Sequence, residues 1–242
     1  MSRRLRLPKG SQFQMSLTEQ AYKRIKHMIL TEELPPATPI DLHEMTGLLG
    51  VGKTPVREAL QRLALEKLII ISPRRGTFVT DLSIIQLQQA LDARLIIERH
   101  TVRIMASKIT ECEVAALRKL IQDIEQLSAH RDYLGAVQVD ERFHLSIAEA
   151  TGNDYLADFL SLLLPVTMRF WYRGFRQSPD PALTTRTTYD AHQAIIDGLE
   201  RHDADAAERA MVQHISAFRK EAVERIMTAS AVNWATLVHK SV

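Results

Sequence analysis

Gly50-Val51-Gly52-Lys53-Thr54-Pro55-Val56-Arg57-Glu58-Ala59-Leu60 is the stretch that decides how this chain of 242 residues reads. Gly50-Val51-Gly52 is a tight turn between two helices. Lys53 opens a helix to about Glu66, with Pro55 tolerated in its first turn, where the missing N–H has no partner to lose. Val56, Leu60 and Leu63 form the buried stripe of that helix. Lys53, Arg57 and Gln61 are spaced by four and share the opposite face, with Thr54 and Glu58 beside them. Working back along the chain, Asp41 and Glu44 start a short helix whose inner side is Leu42, Met45 and Leu49. Before it, Ser16-Leu17-Thr18-Glu19 has the pattern of a capping box, followed by Tyr22, Ile25 and Ile29 at helical spacing and closed by Pro35-Pro36. Working forward, the β-branched run Leu68-Ile69-Ile70-Ile71, the turn Ser72-Pro73-Arg74-Arg75-Gly76 and the run Thr77-Phe78-Val79-Thr80 make a hairpin with two arginines at its tip.

Helix, short helix, turn, helix, hairpin is the order of a winged helix-turn-helix over residues 16–80. A helix fits the major groove of DNA, and residues near its N-terminus reach base edges. Arginine grips guanine with two hydrogen bonds, while lysine and threonine hold phosphates. This nominates Lys53, Thr54, Arg57 and Gln61 on the helix and Arg74, Arg75 and Gly76 on the wing as DNA contacts. Taken alone, the Lys53–Gln61 face reads as a solvated helix surface; the five-element order is what argues for DNA.

Charge distribution points the same way. Residues 1–80 hold 13 Lys or Arg against 7 Asp or Glu, whereas the remainder holds 18 against 22. A basic first third on an acidic remainder fits one end meeting a polyanion. The basic leader 1–15 (Arg3, Arg4, Arg6, Lys9) has no apolar segment behind it and reads as disordered rather than as a signal peptide. The single cysteine, Cys112, permits no internal disulfide, and no apolar run approaches the roughly 18 residues of a membrane span. A cytoplasmic location without membrane attachment is the expectation.

After a short linker at 81–83, residues 84–229 show helical periodicity and no convincing strand. Breaks at Thr110-Glu111-Cys112-Glu113, between about Leu127 and Tyr133, at Gly152-Asn153, at Ser178-Pro179-Asp180-Pro181 and at Arg201–Asp203 divide them into six helices, an all-α bundle. The fourth pauses at Pro165, and the sixth ends near Ala229, leaving a tail at 230–242. The expected fold is mainly α. Asp140 and His144 share a helix face; His192 and His214 lie on the fifth and sixth helices. An aspartate and three histidines from three helices can converge on one divalent cation, such as zinc, nickel or manganese. A lone D-x-x-x-H pair is nevertheless common by chance.

The first stretch resembles the recognition-helix signature of GntR-type regulators, G-V-S-R-T-P-V-R-E-A-L, and Arg75-Gly76-Thr77-Phe78-Val79 resembles their wing. The resemblance implies DNA contacts at Lys53 and Arg57 and a close approach at Gly76. Gly52 stands where the family has a capping serine, and Lys53 where it has arginine, which alone makes the two-pronged guanine contact. Further on, Asp140-Glu141-Arg142-Phe143-His144 through Gly152-Asn153, Asp190–Ile195 and Met211–Ile215 are similar to the FCD ligand-binding domain of the FadR subgroup. That likeness implies that Asp140, His144, His192 and His214 are metal ligands. Asp92-Ala93-Arg94-Leu95-Ile96-Ile97-Glu98 resembles the first FCD helix, where arginine faces a cavity and can hold an organic acid; a structural pair with Glu98 is the equal alternative. Asn153 and Arg169 are further candidates for that cavity.

The expected function is a ligand-responsive regulator, a repressor by preference, that binds a palindromic operator in double-stranded DNA as a homodimer and answers to a small carboxylate. Two alternatives remain at this stage. A metal-dependent enzyme would activate water at an Asp/His₃ site, with Glu141 or Glu149 as base. A DNA-binding protein without an effector would have no use for the ligand set.

Overall fold

The computed structural model describes residues 15–239, with side chains to residue 225; most of the basic leader lies outside the described residues. In the N-terminal domain α1 (Leu17–Leu30), α2 (Leu42–Leu49) and α3 (Lys53–Leu65) precede the strands β2 (Ile69–Ser72) and β3 (Gly76–Val79). The apolar stripes read from the sequence meet in one core: Ile25 and Ile29 of α1, Met45 of α2, and Val56, Leu60 and Leu63 of α3. Asp41 caps α2 by accepting from the amides of His43 and Glu44. Gly50 ends α2 in the left-handed region at φ 64°, which a residue without Cβ adopts at no steric cost. That turn sets α3 across α2 as a reading helix.

Two local expectations change. The wing is a three-stranded antiparallel sheet of order β1-β3-β2, because β1 (Pro39–Ile40) pairs with β3, Pro39 opposite Phe78. The prolines around it hide so short a strand, and Pro39 is tolerated because β1 is an edge. The capping box at Ser16 is only half made. Ser16 Oγ accepts from the Glu19 amide, but the Glu19 carboxylate accepts from Arg62 of α3 at 2.8 Å instead of turning back on its own backbone. A tertiary ion pair has displaced the local one.

Residues 81–83 pass directly into α4 (Ile84–Ala106), capped by Ser83. Then come α5 (Glu111–Ala129), α6 (Tyr133–Glu149), α7 (Asp154–Gln177), α8 (Pro181–Glu200) and α9 (Ala204–His239). These are the six helices expected. Thr110 and Glu113 complete a reciprocal capping box on α5. α7 runs through Pro165 without a pause; Leu160 and Leu164 before it and Met168 after it are all buried, so packing on both sides outweighs the hydrogen bond lost at proline. α8 begins at Pro181, inside the expected loop, because Asp180 caps it and proline suits the first turn. α9 continues to His239, past the expected end at Ala229, and no Gly or Pro interrupts it.

The central layer of the bundle is α4, packed on α6, α7 and α9, with α8 lying against α5 and α9. α8 and α9 approach closely at Gly198, where an added Cβ would stand 2.6 Å from the backbone nitrogen of Ala207. This contact fixes how His192 on α8 faces His214 on α9. Gly198→Ala is expected to cost about 1–3 kcal/mol through overpacking, although alanine ordinarily stabilises a helix interior. Urea unfolding checks it, and a midpoint equal to or above that of the parent counts against the close approach.

Candidate functional site

Two sets of side chains stand out. The first is the exposed face of α3 and the wing. Lys53, Thr54, Arg57 and Gln61 are all solvent-exposed, as are Arg74, Arg75 and Gly76. The four basic residues make no ion pair among the described residues. Arg62, on the same helix, differs: it pairs with Glu19 and stacks 3.6 Å above the Tyr22 ring. A helix that commits one arginine to structure and leaves its neighbours free presents those neighbours to an outside anion. Gly52 caps α3 with no side-chain hydrogen bond, as its lack of a hydroxyl requires. The unsatisfied amides of the first turn therefore stay available beside Lys53 and Thr54.

The second set lies inside the bundle. α6 supplies Asp140 and His144 one turn apart, α8 supplies His192 and α9 supplies His214, so that their four ligand atoms all lie within 4.8 Å of one another. Asp140 Oδ1 is 3.0 Å from His192 Nε2 and 3.7 Å from His144 Nε2, and His144 Nε2 is 3.3 Å from His214 Nε2. Bonds of about 2.0–2.2 Å to one ion place adjacent ligands at such separations. Asp140 Oδ1 and His192 Nε2 are buried and have no hydrogen-bond partner beyond each other, which leaves them under-satisfied in the core unless something else binds them. The donor set, imidazole nitrogens with one carboxylate, suits a first-row divalent ion. The residues present therefore fit a metal.

The other ring nitrogens are held from behind. His192 Nδ1 lies 2.9 Å from the Thr188 carbonyl, and His144 Nδ1 lies 2.5 Å from Glu98 Oε2. Both contacts aim Nε2 at the cluster, the arrangement that orients metal-binding histidines. Burial works against the Glu98 carboxylate, but Arg94 and His144 outweigh it and pull its pKa down to about 2. Burial likewise opposes ionisation of Asp140, and the His144 and His192 imidazoles hold it below the usual carboxylate range. Burial pushes His214 well below the ordinary histidine value, helped by His192, His144 and Arg94. It is therefore neutral at pH 7, as a ligand must be.

Beside the cluster is a small cavity of about 50 Å³, partly open to solvent, with Asp140, His214, Arg94, Thr167, Met168 and Trp171 in its lining. Arg94 makes the structural pair with Glu98 and also lines the cavity. Its Nε donates to Glu98 at 2.6 Å and one terminal nitrogen donates to Thr167. The other terminal nitrogen is buried without a partner.

Residues 17–79 match the bacterial regulatory proteins of the gntR family, and residues 89–217 match the FCD domain. The chain belongs to the GntR family. Its relatives include the HTH-type transcriptional repressor RspR of Escherichia coli, 29% identical over 82% of this chain and 86% of that protein. The HTH-type transcriptional regulator LutR of Bacillus subtilis is 26% identical over 78% and 93%. Among solved structures, Escherichia coli McbR/YncC superposes with a TM-score of 0.76 at 20% identity, covering 88% of this chain and all of that one; this likeness speaks to fold alone. As a GntR regulator with an FCD domain, the protein is a DNA-binding transcription factor and not an enzyme. Glu141 and Glu149, the bases an enzyme would have needed, do not line the cavity: Glu141 pairs with Lys26 and Glu149 with Arg142.

Two nominated residues fall elsewhere. Asn153 is an exposed residue at the start of α7, and Arg169 turns away from the cavity toward the junction of the two domains, with Glu32, Arg173 and Asp81 as charged neighbours. Burial lowers the Arg169 pKa to about 10. Sequence reasoning missed Thr167 and Trp171 as cavity walls and Glu98 as the support of His144. The Arg94–Glu98 spacing was visible, but the Glu98–His144 contact joins two helices. Glu98→Ala leaves buried Arg94 without its carboxylate and is expected to cost about 3–5 kcal/mol of stability. Chemical denaturation at pH 7 measures it, and a loss below 1 kcal/mol would mean that Arg94 is compensated otherwise.

Proposed function

We propose that this GntR regulator is a repressor whose C-terminal domain binds one divalent metal ion and a small organic acid, and which reads a palindromic operator as a homodimer in the cytoplasm. The observation that carries the reading is the convergence of Asp140, His144, His192 and His214 beside a cavity lined by Arg94, which keeps one buried nitrogen unpaired. A metal held there supplies open coordination positions for a carboxylate oxygen, and Arg94 offers charge-assisted donors to the same group. The threonine hydroxyl and the apolar walls of Met168 and Trp171 leave room for a compact acid. Repression is taken from the name of the relative RspR.

The homodimer is supported by an apolar face on the C-terminal domain. Tyr155, Phe159 and Leu162 follow helical spacing on α7 and are exposed, as is Ile96 on α4, while Ile96 and Leu156 border one surface groove. Exposed apolar residues gathered on one face mark an interaction surface. A two-fold pair of reading heads also doubles the contacts that one α3 offers.

Elemental analysis of purified protein is expected to find about one zinc, nickel or manganese ion per chain, and none in His192→Ala/His214→Ala. The same absence in the parent after metal reloading removes the metal from the reading. Operator duplexes selected from a random pool test the other half. Arg57→Ala is expected to weaken binding to them by about 1–3 kcal/mol, and Lys53→Ala to flatten the salt dependence by roughly one unit of slope. An Arg57→Ala affinity equal to that of the parent takes Arg57 off the reading face.

A further inference from the structure

Lys26 sits on α1 and does not line the cavity, yet it is the centre of a largely buried cluster of charge at the domain junction. Its Nζ lies 3.3 Å from Glu66 Oε2, 3.3 Å from Glu141 Oε1 and 3.2 Å from the Tyr22 hydroxyl. The ammonium donates hydrogen bonds to the Tyr22 hydroxyl and to Glu141 and keeps Glu66 Oε2 as a third, ion-paired neighbour. The Tyr22 hydroxyl donates in turn to Glu66 at 2.6 Å. The side chains are 16% (Lys26), 7% (Glu66) and 18% (Glu141) exposed.

The three charged residues come from different places. Glu66 caps the C-terminal end of α3, the helix that carries Lys53, Arg57 and Gln61. Glu141 lies on α6 and follows Asp140 of the candidate metal cluster directly. Lys26 joins them across the junction. A second, purely apolar seat lies beside it, where Leu30 of α1 packs with Val137 of α6 and with Met168 and Phe175 of α7. Arg173 and Glu32 add a more exposed ion pair of 2.7 Å.

We propose that Lys26 couples the two domains, carrying the state of the Asp140 cluster through Glu141 to Glu66 at the end of the reading helix. This deepens the proposed function and rests on its premise that the C-terminal domain controls DNA binding. The physical reason is that a helix moves as a rigid unit, so a shift of Asp140 takes Glu141 with it. One ammonium shared by two buried carboxylates cannot stay behind without leaving charge unpaired, which is far more costly than at a surface. Lys26 must therefore follow Glu141 and pull on Glu66, or release one of them. Either response changes the set of α3 relative to its partner head. Small displacements become discrete rearrangements at such junctions because packed interfaces are not continuously deformable.

The test is a double-mutant cycle of Glu141→Gln and Lys26→Met read as affinity for the selected operator. Glu141→Gln is expected to change affinity by about two- to thirtyfold when Lys26 is present, the range for residues that transmit coupling, and by less than twofold in Lys26→Met. Lys26→Gln takes the place of Lys26→Met if the latter does not fold. No effect of Glu141→Gln, or the same effect in both backgrounds, overturns the proposal. A second readout separates coupling from simple support. Adding zinc to metal-free protein is expected to alter amide exchange over residues 53–65 in the parent. That change should vanish in Glu141→Gln while zinc content stays the same. A change that persists, or one absent from a parent that takes up zinc, also overturns it. A parent that takes up no zinc counts against the proposed metal alone, and the cycle then decides the coupling.

Discussion

A single buried carboxylate holds the core of the C-terminal domain in shape. Glu98, on the central helix α4, accepts from Arg94 with one oxygen and faces His144 with the other. The Arg94 guanidinium would not tolerate burial without it, and Glu98 itself would not remain ionised in the core without Arg94 and His144 beside it. The three-way contact fixes two directions at once. It points His144 Nε2 toward Asp140, His192 and His214, and it leaves one buried Arg94 nitrogen without a partner. Candidate metal site and candidate anion anchor are thus one electrostatic unit.

The same principle, applied at different depths, divides the basic residues of the molecule by role. Arginines and lysines with carboxylate partners hold helices together: Arg62 ties α3 to α1, Arg103 ties α4 to α9, and Lys26 ties the domains. Lys53 and Arg57 on the exposed face of α3 and Arg74 and Arg75 at the wing tip have no carboxylate partner among the described residues. Surface ion pairs contribute little to stability, so leaving Lys53, Arg57, Arg74 and Arg75 unpaired costs the fold almost nothing while leaving their charge exposed. Buried pairs are different, because a lost partner leaves an uncompensated charge. Geometry is therefore held most tightly around Glu98 and at the Lys26 junction.

Much of this was written in local pattern. Periods of three and four placed the stripes of α1 to α3, and Asp41, Gly50 and Thr110 marked ends where a cap or a left-handed turn is needed. The Asp140–His144 spacing put two of the four cluster residues on one face, and likeness to the FCD domain nominated the other two. Local pattern failed where a distant group competed for the same atoms. Glu19 completes a capping box on paper but bonds to Arg62, forty-three residues away. Pro165 should interrupt α7, but packing on both sides carries the helix through. The strand at Pro39–Ile40 exists only because β3 lies alongside it.

What the sequence determined by itself is the order of the helices and of the hairpin strands, the inner and outer face of each and the exposed basic face of α3 and the wing, since all of these follow from spacing and side-chain type; for the cluster residues, spacing needed the likeness to the FCD domain beside it. What only the tertiary structure decided is which atoms meet. Glu98 supports His144, Arg94 faces the cavity while Arg169 turns from it, and Lys26 bridges Glu66 and Glu141. Each depends on how helices distant in sequence cross, and that is set by packing the whole core at once rather than by any local run of residues.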